Sequence, residues 1–139
     1  MIVETIERLK SVVELKFVGG SADFQKAAES NPKVTPCAFV FPLEEQPGAS
    51  QLVDVVIQRV AAAMSVMLVV RNVSDTYGVA AQQDLARLRK AIKESLLGWV
   101  PLEGHDPFER GPSNLMVFKD GYMWWQDVYT TAFYDRSVL

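Results

Sequence analysis

GVAAQQDLARLRKAIKESLLGWVP, residues 78–101, is the stretch on which the fold turns. Ala81, Leu85, Leu88, Ile92 and Leu96 recur at steps of four, three, four and four, which places them on one face of a helix. Gln82, Gln83, Arg87, Arg89, Lys90, Lys93 and Glu94 occupy the other side. Most residues here are strong helix formers, and the only glycine inside the 78–97 stretch is its first residue. Asp75 or Thr76 is expected to cap the first turn, and Lys90 and Lys93 sit near the carbonyl end of the dipole. Gly98 supplies a left-handed terminator, and Pro101 prevents the helix from resuming. Such a helix spans roughly 30 Å at about 1.5 Å per residue and must lay its apolar face on a sheet.

The remaining sequence supplies that sheet. A chain of 139 residues buries an adequate core as one domain, here expected over residues 1–139. Ile2, Ile6, Leu9 and Val13 are spaced for a first helix over residues 2–13, with Glu4, Glu7, Arg8 and Lys10 outward. Leu15–Val18 reads as a short extended segment ended by Gly19-Gly20. Ser21 is the expected cap of a second helix over 22–29. Cys37–Phe41, bounded by Pro36 and Pro42, reads as a strand, and Leu43–Ser50 as a polar, mobile loop.

Gln51 to Tyr77 contains no Gly or Pro. Its apolar spacing also suits a helix, but the many stiff, β-branched valines favour strand, as one long strand or two joined near Ala61-Ala62-Ala63. Glu103–Ser113 reads as a loop, Leu115–Phe118 as a strand, and Asp120-Gly121 as a tight hairpin turn into a last strand over 122–133. This order predicts an α+β fold: a mainly antiparallel mixed sheet flanked by helices, with a long β-hairpin or β arm.

Composition excludes several functions. The net charge of −3 comes without a basic block, which argues against a surface holding nucleic acid through phosphates. Asp54, Gln58, Arg59 and Ser65 interrupt the apolar run from Val53 to Val70, so it makes no membrane span. The acidic start Met1-Ile2-Val3-Glu4 does not resemble a signal peptide. Cys37 is the only cysteine and reads as a buried, inert thiol. His105, the only histidine, lies near Glu103, Asp106 and Glu109. It could act as a base or metal ligand, but with no second histidine the expected reading is an exposed loop residue. No phosphate loop, dinucleotide fingerprint or nucleophile elbow is present. The Glu44-Glu45 pair reads as solvated. No catalytic residue, cofactor or metal is expected.

Trp124 and Trp125 point to opposite faces of the last strand. One joins the core; the other faces solvent, a partner or a second helical layer. An outward tryptophan near Tyr129 and Phe133 would suit an interface.

The order of these motifs resembles a known family. It comprises the N-terminal helix, Pro36–Pro42, Gln58 leading into Val66–Asn72, then Leu96–Pro101, Leu115, the Asp-Gly hairpin and Trp125–Thr131. Across nearly the whole chain it is similar to the tail-terminator (tail-completion) proteins of long-tailed bacteriophages and prophages. The resemblance implies a structural virion protein, not an enzyme. It implies a homo-hexameric ring that caps the tail tube, ends its polymerisation and meets the head-side connector. The protein would join the virion tail after assembly in the host cytoplasm, with DNA passing the lumen without specific binding. Alternatives are a head–tail neck protein, or a small ligand-binding domain or enzyme with a pocket near His105 and Trp99.

The subunit contacts are expected along the long β segment, at Gln51, Val53, Val55, Ile57 and Arg59, with an outward aromatic from Trp124 or Trp125. The physical motive is length. Strands usually run about five or six residues, and an uncovered apolar arm aggregates unless a neighbour covers it.

Overall fold

The computed structural model describes residues 1–72 and 78–138. One sheet contains β1 (Phe17–Gly19), β2 (Cys37–Pro47), β3 (Ile57–Arg71), β4 (Glu109–Lys119) and β5 (Tyr122–Arg136), in the order β1-β2-β3-β5-β4. Only β1 pairs in parallel; the other neighbours are antiparallel. The helices are α1 (Ile2–Leu9), α2 (Ser21–Ser30) and α3 (Val79–Leu96). This is the mixed α+β architecture expected.

The organising helix forms as its spacing dictates. Ala81, Leu85, Leu88, Ile92 and Leu96 are all buried and share one core with Met64, Val66, Leu68 and Val70 of β3. Leu9 of α1 joins the same core, and Arg8 donates from Nε to the Ser95 carbonyl at 2.7 Å. Alternation along β3 sends Met67 and Val69 to the opposite face, where Phe24 and Ala27 of α2 meet Phe39 and Trp124. Each face of the sheet therefore has its own core.

Several boundaries differ from expectation, each for a physical reason. α1 ends at Leu9 rather than near residue 13, because the chain turns there toward β1. Val12 takes the core position, and Val13 is left 92% exposed. The N-cap of α2 is Gly20, not Ser21; its N–H donates to Asp23 Oδ2 at 3.1 Å. Asp23 packs so closely that a Cβ on Gly19 would lie 2.4 Å from its carboxylate. Gly98 is left-handed at φ 80°, as expected of the helix stop. The proposed caps Asp75 and Thr76 lie outside the described residues.

The largest correction concerns the arm. β2 does not stop at Pro42 but continues through Leu43–Pro47, where a loop was expected. Hydrogen-bonding parity explains how it passes two prolines. Pro36 O accepts from Lys16 toward β1, so Pro42, an even number of residues on, turns its nitrogen to the outer edge. Gly48 N–H donates to Arg59 O on the inner side, so Pro47 also faces out. A missing donor costs nothing on a free edge. β3 is one continuous strand without a break at Ala61-Ala62-Ala63, but it begins only at Ile57. Gln51–Val56 forms the loop between β2 and β3 rather than strand. β4 also starts early, at Glu109, and absorbs Gly111 and Pro112 at a register shift between Arg110 and Ser113. Asp120 (φ 55°) and Gly121 (φ 80°) make the expected two-residue turn to β5.

Candidate assembly surface

β2 and β3 form a hairpin longer than the helical layers that cover it. Ile57 pairs with Arg136 and Arg71 with Tyr122, so β3 and β5 remain partnered along the whole length of β3. α2 covers only the half of its face near Cys37, Phe39 and Trp124. Beyond it Glu44 and Gln46 of β2, with Arg59 and Ala61 of β3, are exposed, and Glu45 is exposed on the other face. On the α1/α3 face the segment after α3 covers the distal half. Phe108 is buried against Trp99 and Tyr129, and Thr131 Oγ1 donates to the Asp106 carbonyl at 2.6 Å.

The residues expected at a subunit contact fall into two groups that the fold keeps apart. Gln51 and Val53 are exposed in the loop at the arm's tip, Val53 at 99%. Val55 and Ile57 are half-buried, and Ser50 Oγ accepts from Ile57 N–H at 3.1 Å to hold the base of that loop. Arg59 is exposed on β3, paired with Asp106 and lying 5.7 Å from the Tyr134 ring. Both contacts favour its charged form and raise its pKa, the Asp106 hydrogen bond most.

Trp124 and Trp125 pair with Val69 and Leu68 at the other end of β3. Trp124 is buried and stacks on Phe39 at 6.5 Å. Trp125 is half-buried beneath Arg89, 4.6 Å from the guanidinium, and donates from Nε1 to Asp127 at 3.0 Å. Neither is the outward aromatic expected, because helices α2 and α3 cover both faces at that level. The exposed aromatic of β5 is Tyr134.

Three features were not singled out as surface from the sequence. Leu115, Met116, Val117 and Phe118 are all 38–51% exposed on β4, an edge strand with no outer partner among the described residues. Beside it, Phe24 and Trp124 floor a cavity of about 370 Å³ between α2 and β4, with Met116 and Val117 on its wall. A cleft of about 150 Å³ on the opposite face gathers Arg89, Lys90 and Lys93 from α3 and Arg110 from β4 around Asp127 and Tyr129. Alternation in β4 would have suggested one buried face; its place at the edge of the sheet, which the sequence does not state, leaves both exposed.

Burial alone would raise the Asp127 carboxyl. Hydrogen bonds from Arg89, Ser113 and Trp125 outweigh it and hold the group below its ordinary value of 3.8. Burial pushes the Cys37 thiol up to about 12, which leaves it inert, as expected.

His105 is half-buried rather than exposed. It stacks on Phe133 at 4.8 Å, and its Nδ1 finds no hydrogen-bond partner among the described residues. Desolvation lowers its pKa, so the fold favours neutral imidazole. The sign follows: stability is lost as pH falls through the unfolded value near 6.5. His105→Ala is expected to cost about 0.5–1.5 kcal/mol for the lost ring contact and to flatten stability between pH 7 and 5. Urea melts at the two pH values check both parts. Among the described residues, no three His, Cys, Asp or Glu side chains converge as a metal site.

Comparison with known proteins adds the following. The profile of the family described as phage tail terminator protein matches residues 3–137. A chain from the virion of a native gene transfer agent particle shares the fold at a TM-score of 0.55 and 13% identity. The match covers 97% of this chain and 95% of that one. No match was found among curated proteins.

Proposed function

This chain belongs to the phage tail terminator family and is a structural component of a phage tail, and we propose that it caps the tail tube as a homo-hexameric ring. In this reading residues 1–139 act as one terminator unit that ends tube polymerisation and offers its other side to the head-side connector. Assembly takes place in the host cytoplasm, and DNA passes the lumen without specific contacts. The role needs no catalysis, cofactor or metal.

The observation that supports the ring is the β2–β3 arm. It extends past α2 and carries Gln51, Val53, Val55, Ile57 and Arg59 at or near its tip. A projecting element of this kind reaches a neighbour, and a head-to-tail contact repeated by rotation closes a ring. The exposed apolar edge Leu115–Phe118 gives the same subunit a second surface that a tail component would cover. The test is electron microscopy and cross-linking of the protein alone and with its tail-tube protein. Six-fold caps on tube ends are expected; uncapped tubes of uncontrolled length would refute the reading.

Arg59 offers a sharper check. Its ion pair with Asp106 is half-exposed, so Arg59→Glu is expected to leave the melting temperature near wild type. Ring formation on tubes should fall clearly, because the reversed charge sits on the arm. Normal capping by Arg59→Glu would remove this residue from the contact.

A further inference from the structure

Resting on the ring reading above, we propose that Glu45 on the arm of one copy docks in the basic cleft around Arg110 of the next copy. The partner is thus a second copy of this chain, and the contact is electrostatic.

The cleft has an unbalanced charge. Arg89, Lys90, Lys93 and Arg110 line it together with a single carboxylate, Asp127. That carboxylate is already satisfied by Arg89, Ser113 and Trp125. Arg110 donates to Ser113 Oγ at 2.6 Å and stays 3.9 Å from Asp127. Lys90 and Lys93 are exposed and form no ion pair among the described residues. Glu109, next to Arg110 on β4, is exposed and pairs with Thr130, on the other face of the sheet. In a chain of net charge −3, this surplus of cations at one place selects an anion.

The anion of matching position lies on the opposite edge of the sheet. Glu44 and Glu45 are exposed and form no ion pair among the described residues. Following the register across the sheet, Glu44 is level with Ala63, Thr130 and Glu109, and Pro42 is level with Met64, Tyr129 and Arg110. Glu45 and Arg110 therefore stand at nearly the same height on opposite edges, while Glu44, opposite Ala63, faces the α2 side. Glu45 pairs with buried Ala62 and Arg110 with buried Tyr129, two residues apart on β5 through Thr131, so both belong to the face that carries α3. Setting copies side by side brings Glu45 of one to the cations of the next. Because the two surfaces differ, the contact is head-to-tail and can repeat around a ring.

The prolines explain why this is a side-chain contact. Pro42 and Pro47 remove the outward donors on either side of Glu44 and Glu45, so β2 cannot extend the neighbour's sheet. Its edge is closed to strand pairing while its carboxylates remain free.

The test uses charge exchange and cross-linking on the full chain with tail tubes. Lys93→Glu with Arg110→Glu, and separately Glu45→Lys, should each reduce capped tube ends at least tenfold. Mixing the two variants makes both junctions between unlike copies attractive, so rings of alternating copies should cap tubes, and combining all three substitutions in one chain should likewise restore capping. Lys93→Glu alone, which removes none of the hydrogen bonds to Asp127, gives the same direction of effect if the double variant fails to fold. Glu45→Cys mixed with Arg110→Cys should yield a disulfide dimer, and neither should form one by itself. Rings that cap normally with either reversal, or that are not restored by the exchange, would overturn the proposal while leaving the terminator reading intact. Loss of DNA binding by Lys93→Glu with rings unaffected would overturn it in favour of a nucleic-acid phosphate. Failure of the wild-type chain to form any ring would overturn the functional reading itself.

Discussion

Asp127→Ala is expected to destabilise the protein by about 3 kcal/mol, the low end of what breaking a buried ion pair costs. The carboxylate sits on β5 and is only 2% exposed. It accepts from Arg89 Nε at 3.0 Å and Nη2 at 2.9 Å, from Ser113 Oγ at 2.6 Å and from Trp125 Nε1 at 3.0 Å. These bonds tie α3 and β4 to the centre of the sheet. Removing the acid leaves an indole N–H, a hydroxyl and a guanidinium without their acceptor. The cost stays near the lower bound because the Arg89 side chain is 28% exposed and water can reach it. The melting temperature should fall by roughly 10 °C, taking a few degrees per kcal/mol for a chain of this size. The pH dependence has a definite sign. The folded pKa lies below the ordinary 3.8, so the contribution is complete above that value and is lost as pH falls through the folded pKa. Asp127→Asn should therefore lose less stability than wild type on acidification below about pH 4. A melting temperature for Asp127→Ala within a few degrees of wild type would show that the network carries little stability.

Leu88→Ala is expected to cost about 2–5 kcal/mol, the range for truncating a buried leucine. Leu88 is 1% exposed at the middle of α3, among the core residues that include Val66, Leu68 and Val70 of β3. A strand held on both sides by antiparallel partners cannot collapse into the space left, so the cavity term persists. That loss is a large share of the roughly 5–15 kcal/mol by which domains are stable. Gln83→Ala, on the exposed side of the same helix, should change stability by no more than about 0.5 kcal/mol. Equal effects at the two positions in chemical denaturation would contradict the packing described.

The apolar period of α3, the Asp-Gly turn and the valine-rich β3 were legible because each is a local rule. Spacing of four and three puts residues on one helical face, a two-residue turn needs positive φ, and branched side chains favour extended backbone. Sheet order is not local. Whether Pro42 ends a strand depends on which edge its nitrogen faces, and that is decided by β1 and β3, distant in sequence. The same holds for Trp124 and Trp125. Their alternation was readable, but the helices that cover both faces are placed by tertiary packing. The candidate contact shows the division most clearly. Glu45 and Arg110 are visible as charges in the chain, yet they come nearly level, on opposite edges and one face, only when β2, β3, β5 and β4 pair in this order. Side-chain chemistry and local periodicity were determined by the sequence alone; register across the sheet, a sum of long-range pairings, was decided only by the tertiary structure.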